Sequence, residues 1–460
     1  MNAEIQLADP EEASLLVSPH LDQYARQKKM FRTVMGLAAL IVLVTAMLMT
    51  AINNNHEIKI KTKSEAQKAF KQVLSMNKTF IGDVSKDGFA KKDENLIFYD
   101  DFDSLDSLSS GVYNVQRTMD GGGNAQFQYY TDSPKNLYIN STDNSLRFKP
   151  GLFQDLPPIN GVPALDVMLG NCTPYPACAT FQVPNCTTSF GCEEVGSPLD
   201  VLKPTTSARI DTKDTFAFQY GRMELKLRFP RGDWLWSGIW MMPTESRYGG
   251  WPSDGELDLL ETRGNPIGYE VRGNNAGRDV ILSTLHIMAN VFWKSQGFAS
   301  GIDWTEDFHV FGLFWSEKEM YSYYLDDEGN EVKMIDLSAE NGGYKNGFGV
   351  PPYGYDPATD DGNPELSAPD IGVYNGQPLS APFNQPFYLI MNLAVGGYQA
   401  GCPDPDYWGS DAIWCTICEP VCGQPTNEFW KAKDYWYPTW LENEKDDRLS
   451  LAIDWIKVWQ

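Results

Sequence analysis

The chain has 460 residues, of which 42% are hydrophobic and 13% aromatic, enough for one large core or two ordinary ones. Its formal net charge is −24, with a pI near 4.5, so its surface repels phosphate backbones and anionic lipid headgroups. That excludes nucleic acid as a partner and leaves neutral polymers compatible.

In chain order, residues 1–32 read as a cytoplasmic tail of mixed charge. The tail includes Glu11, Glu12, Leu15 and Leu16 in the pattern of an acidic dileucine signal. Residues 33–52 carry no charge over 20 positions, long enough for one bilayer crossing and too long for a cleaved leader. Arg26, Lys28, Lys29 and Arg32 precede this run, while Lys59, Lys61 and Lys63 come after it. The positive-inside rule therefore leans only weakly towards an internal N-terminus. Residues 53–95, rich in Lys, Asn and Ser, read as a stalk. Cysteines and sequons fix the orientation more firmly. All eight Cys lie beyond residue 170, and Asn77, Asn140, Asn171 and Asn185 each begin an Asn-x-Ser/Thr sequon. Disulfides and glycans both belong to an oxidising compartment. The expectation is a single-pass type II membrane protein with its folded part extracellular or lumenal. Cys415-x-x-Cys418 has the spacing of half a zinc site, but with no nearby His it reads as disulfide chemistry.

From residue 96 the texture changes. Gly221–Phe229, Phe308–Trp315, Met320–Leu325 and Leu451–Trp459 alternate with period two, separated by Gly, Pro, Asn and Asp. This predicts an all-β sandwich or barrel over 96–460. Residues 151–206, 337–380 and 400–440 read as long loops of the kind that wall a binding site.

The stretch from Trp251 to Asn265 carries the chemistry. On a strand, Glu256 and Asp258 share one face while Leu257 and Leu259 share the other. Glu261 breaks the parity, and a one-residue bulge near Leu259–Leu260 restores it. Three acids on one face repel one another and push their pKa values apart. That separation suits glycoside cleavage, where one carboxylate attacks and another carboxyl delivers a proton. An acidic solvated strand or a calcium site has the same bare pattern.

The surrounding residues decide between these. Glu256-x-Asp258-x-x-Glu261, preceded by Trp251-Pro-x-x-Gly and followed by Thr262-Arg-Gly-Asn265, resembles the active-site strand of glycoside hydrolase family 16. Within the family it is similar to the laminarinase branch and the animal β-1,3-glucan-binding proteins. Ser207–Lys213, Phe218–Arg222, Gly232–Pro243, Tyr99–Phe102, Gly121–Tyr130, Ser283–His286, Asn392–Gly397 and Asp454–Trp459 extend the resemblance over 96–460.

The resemblance implies a concanavalin-like β-jelly-roll of two curved sheets, the concave one crossed by a substrate cleft. Its ligand would be β-glucan, with no cofactor required. Glu256 would be the nucleophile, Glu261 the acid/base and Asp258 their helper. Trp236 and Trp240 would stack on sugar rings, and His286 would tune Glu261. Asn124, Arg222, Trp251, Arg263 and Asn392 would contact sugar hydroxyls. Cys186 and Cys192 would form a short disulfide loop. Asp454 matches a position that holds a structural calcium in relatives. The chain departs from the pattern after His286, at Ile287-Met-Ala-Asn290, and at Gln126, where relatives often carry Glu. Relatives that only recognise glucan typically lack one or both glutamates. The expected activity is therefore endo-hydrolysis, with glucan recognition or transglycosylation as alternatives.

Overall fold

The computed structural model describes residues 95–460 except 104–107, 109–110, 272, 288–291, 300, 345–370, 375 and 398–424; for 292–299 it describes the backbone alone. The tail, the apolar run 33–52, the stalk up to residue 94, Asn77 and the cysteines from Cys402 to Cys422 lie outside the described residues. Among the described residues, no helix is long and apolar enough to cross a membrane.

Two antiparallel eight-stranded sheets form the body. One runs 331–337, 320–325, 309–315, 221–228, 451–459, 146–148, 137–139, with 96–100 also beside 451–459. The other runs 292–299, 280–287, 256–263, 235–243, 387–395, 209–211, 114–115, with 217–218 also beside 387–395. Strict alternation assigns the faces. In 221–228, Met223, Leu225 and Leu227 are fully buried, while Arg222, Glu224, Lys226 and Arg228 point the other way. These apolar residues join Ile239, Met241, Leu257, Leu259, Leu285, Met391 and Leu393 from the second sheet in one core. The all-β sandwich expected from period two is the observed fold.

Two expectations need correction. Residues 151–206 are more than a connecting loop: they hold the helix Ala164–Leu169, the hairpin Thr180–Gln182/Glu193–Val195 and the disulfides Cys172–Cys178 and Cys186–Cys192. Phe153, Val167, Met168 and Phe181 make a second apolar cluster beneath them. The region read as a loop at 400–440 ends in two helices, Pro425–Lys431 and Lys433–Glu444. Pro438 reads as a breaker, but Trp436 and Trp440, four apart, bury on one helical face, where Trp436 stacks on Phe429 and packs tilted against Trp440. Of the sequons described, Asn171 and Asn185 are exposed. At Asn140, Nδ2, the atom a glycan would be attached to, donates to Asp447 Oδ2 at 2.9 Å.

Candidate active site

Four neighbouring strands build the site: β1 (Leu235–Pro243), β2 (Glu256–Arg263), β3 (Val280–Ile287) and β4 (Phe387–Val395). Along β3, Glu256 faces His286, Asp258 faces Thr284 and Glu261 faces Leu282. Three steps of β2 between Asp258 and Glu261 thus match two steps of β3. Along β1, Trp240 faces Asp258 while Ile239 faces Leu260, so Leu259 is the extra residue. This is a β-bulge. Leu259 and Leu260 both sink fully into the core, and Glu261 returns to the face of Glu256 and Asp258.

Each acid has a ring N–H or imidazole partner. The Trp251 indole N–H donates to Glu256 Oε2. His286 Nε2 lies 2.9 Å from Asp258 Oδ2. The Trp236 indole N–H donates to Glu261 Oε1 at 3.0 Å. The Trp251 ring is 61% exposed and its centroid lies 6.1 Å from that of His286. It stands as an open aromatic wall over Glu256.

Burial and mutual repulsion set the protonation. Burial, then the charge of Asp258, pushes Glu256 up to about 8, with His286 and the Trp251 bond pulling the other way. Burial raises Asp258 to about 7, opposed by its hydrogen bond with Glu256. Burial, then Asp258 and Glu256, raises Glu261 to about 8, opposed by His286 and Trp236. The three carboxyls act on one another, and the group holds protons at neutral pH. Glu256, Asp258 and His286 bring ligand atoms within 4.8 Å of one another, the donor set here that could hold a divalent cation.

The remaining expected residues divide. Trp240 is half-buried on the face of the acids, with its N–H donating to Asn392 Oδ1 at 2.7 Å and the Arg209 guanidinium 4.9 Å from its ring centroid. Asn392 is buried and also donates to Tyr130 OH at 3.1 Å, which reaches Gln126 Oε1 at 3.3 Å. Its amide therefore anchors Trp240 and Tyr130. Arg263, opposite Trp236, lines a water-sized cavity of about 40 Å³ with Trp236 and Glu261. Asn124 caps the turn Gly121–Gly123, away from the acids' hydrogen bonds.

Arg222 is a correction. The chain enters the other sheet at 221–228, and Arg222 there binds Tyr323 OH at 2.7 Å and Glu331 Oε1 at 2.6 Å. It joins a polar network on that sheet and takes no place beside the acids. Asp454 lies on that sheet too, with Oδ2 2.9 Å from Lys226 Nζ. An ammonium supplies its counter-charge. Among the described residues, no group of three acidic, His or Cys side chains forms around it.

Sequence reasoning overlooked Gly238. It lies opposite Glu261 on one side and Asn392 on the other. A Cβ there would sit 3.0 Å from Asn392 Oδ1 and 3.1 Å from Trp240 Cδ1. Its alternation with Trp236 and Trp240 was the available signal: a residue without a side chain leaves the floor open between two indoles.

Comparison with known proteins finds a family match, curated relatives and a solved structure. The model of the glycosyl hydrolases family 16 matches residues 193–344. A β-1,3-glucan-binding protein of Penaeus monodon is 33% identical over 393 residues, covering 79% of this chain and 90% of that protein. A glucan endo-1,3-β-glucosidase A1 of Niallia circulans is 28% identical over 328 residues, covering 68% of this chain and 35% of that protein. Among solved structures, the laminarinase from Rhodothermus marinus aligns with a TM-score of 0.43 at 20% identity, covering 80% of this chain and 97% of that one.

Proposed function

This chain belongs to glycosyl hydrolase family 16, and from that premise we propose that it cleaves β-1,3-linked glucan with retention of anomeric configuration. The observation that carries the reading is the bulge in β2, which returns Glu261 to the face of Glu256 and Asp258. Ionised Glu256 attacks the anomeric carbon while protonated Glu261 gives its proton to the leaving oxygen. A glycosyl ester on Glu256 forms as the glycosidic bond breaks. Glu261, now a base, takes a proton from water, which attacks the same carbon and releases the sugar. Asp258, hydrogen-bonded to Glu256 and fixed by His286, shares the proton that the first step requires to be off Glu256. Trp251 and Trp240 offer aromatic faces to glucosyl rings. The apolar run 33–52 and the two disulfides support placing this site on the oxidising side of a membrane.

The test is incubation with laminarin, mixed-linkage glucan, agarose and carrageenan, with reducing ends and the anomer followed by proton NMR. Reducing ends from laminarin, appearing first as the β-anomer, are expected. The α-anomer first would refute retention. Binding of laminarin without sugar release would favour the second reading, recognition alone, which the name of the Penaeus monodon relative favours.

The Trp236 N–H holds the pKa of Glu261 down. Trp236→Phe removes that donor and should move the alkaline limb of the pH–rate profile to higher pH. An unmoved limb would dissociate the proton donor from Glu261.

A further inference from the structure

A cavity of about 490 Å³ opens where strands Leu137–Ile139, Gly151–Leu152 and Thr205–Ser207 meet the helix Lys433–Glu444. None of the acids or aromatics of the candidate active site lines it. Its volume is in the ~300–1,000 Å³ range of small-ligand sites.

Its floor is apolar. Leu152, Leu449 and Trp440 are buried there, and the Trp440 N–H is turned away to donate to Asp233 O at 2.9 Å. Tyr138 and Tyr437, both half-buried, also line it. The rim is polar and balanced. Lys135 and Lys149 stand with Asp155 and Glu444, and Lys149 Nζ lies 2.6 Å from Glu444 Oε1. Burial, then the charges of Asp155 and Glu444, raises the Tyr437 phenol, which stays a neutral hydroxyl.

Two cations against two anions give this rim no preference for an ion of either sign, on a chain whose net charge is −24. An apolar floor edged by phenols, beneath interleaved donors and acceptors, complements a neutral hydroxylated ring. The C–H face of such a ring packs on the aromatics while its hydroxyls meet the rim. We propose that this pocket is a second, non-catalytic binding site for a neutral oligosaccharide. It holds one stretch of a glucan polymer while the acids act on another. Naming glucan rests on the hydrolase reading; the preference for a neutral saccharide does not. Two sites on one polymer raise its apparent affinity through effective concentration, with no change at either site.

The test uses the full-length chain. The Glu256→Gln variant, titrated with laminarihexaose by calorimetry, should show two sites. Adding Lys149→Ala with Glu444→Ala should leave one, and Trp251→Ala should remove the other. In the active background, the Lys149/Glu444 double variant should bind insoluble β-1,3-glucan about tenfold more weakly, yet turn over laminaritriose at the original rate. Circular dichroism checks that the fold is intact. A single site that survives the rim substitutions, with unchanged binding to the insoluble polymer, overturns the proposal and leaves the hydrolase reading standing. A site lost with the rim pair but unaffected by Trp251→Ala supports this pocket and counts against the cleft.

Discussion

Glu256→Gln should lower turnover of laminarin by on the order of 10⁴-fold or more and leave affinity for the polymer nearly unchanged. The amide matches the carboxyl in shape. Its oxygen can accept the Trp251 N–H and its nitrogen can donate to Asp258, so the local packing around β2 is kept. What is lost is the nucleophile, and with it the covalent intermediate. The second half of the test separates loss of chemistry from loss of fold. Glu256→Ala opens space beside the anomeric carbon, and added azide should then displace the leaving group directly and give an α-glycosyl azide from an aryl β-glucoside. Glu261→Ala should instead leave the ester on Glu256 to be captured by azide as the β-glycosyl product. Sugar release at the original rate from Glu256→Gln would take Glu256 out of the reaction. Identical azide products from the two alanine variants would undo the division of roles.

Both glutamate-to-glutamine variants should be more stable than the parent at alkaline pH. The ordinary values for these groups are 4.5, 3.8 and 4.5, and in the fold all three rise to about 7 or 8. Between about pH 4 and pH 8 the native state therefore binds more protons than the unfolded chain. Stability contributed by these groups is complete below their ordinary values and declines as pH rises through the folded ones. At pH 4 a neutral amide replaces a neutral acid, and Glu261→Gln should melt within about 1 °C of the parent. At pH 9 the amide relieves a buried charge beside two others. The gain there should be on the order of a few kcal/mol, at about 1.36 kcal/mol per pKa unit, shared among three interacting carboxyls. Thermal denaturation of parent and variant at the two pH values checks this, since other titrating groups cancel in the difference. An equal gain at both pH values would point to packing, and no gain at pH 9 would mean the cluster is not held under electrostatic stress.

Much of this was legible in the sequence because the fold depends on period two. Met320–Leu325 and Leu451–Trp459 could be delimited from alternation alone. The parity break at Glu261 was itself the sign of a bulge. What stayed hidden depends on contacts between distant parts of the chain. Nothing local distinguishes Arg222 on one sheet from Trp236 on the other, because alternation fixes a face without saying which sheet carries it. The anchoring bonds of Asn392 were invisible because its partners, Trp240 and Tyr130, are 152 and 262 residues away. The helix at Lys433–Glu444 was masked by Pro438 and by aromatic residues that read equally well as strand. Gly238 has no side chain to attract notice, yet its position sets the floor beside Glu261.

The extra leucine in β2 couples two chemical roles through counting alone. Glu256 and Glu261, proposed as nucleophile and proton donor, are locked together by an odd separation along one strand and one out-of-step peptide, not by separate loops that could drift independently. Substitution of Leu259 or Leu260 by another apolar side chain preserves that phase. Removal of one residue there would invert it, driving a carboxyl into the apolar layer and a leucine into the groove. The strand can therefore change its letters but not its length: a deletion would damage the core together with the acidic face, whereas a substitution at one acid would leave both the core and the rest of that face sound.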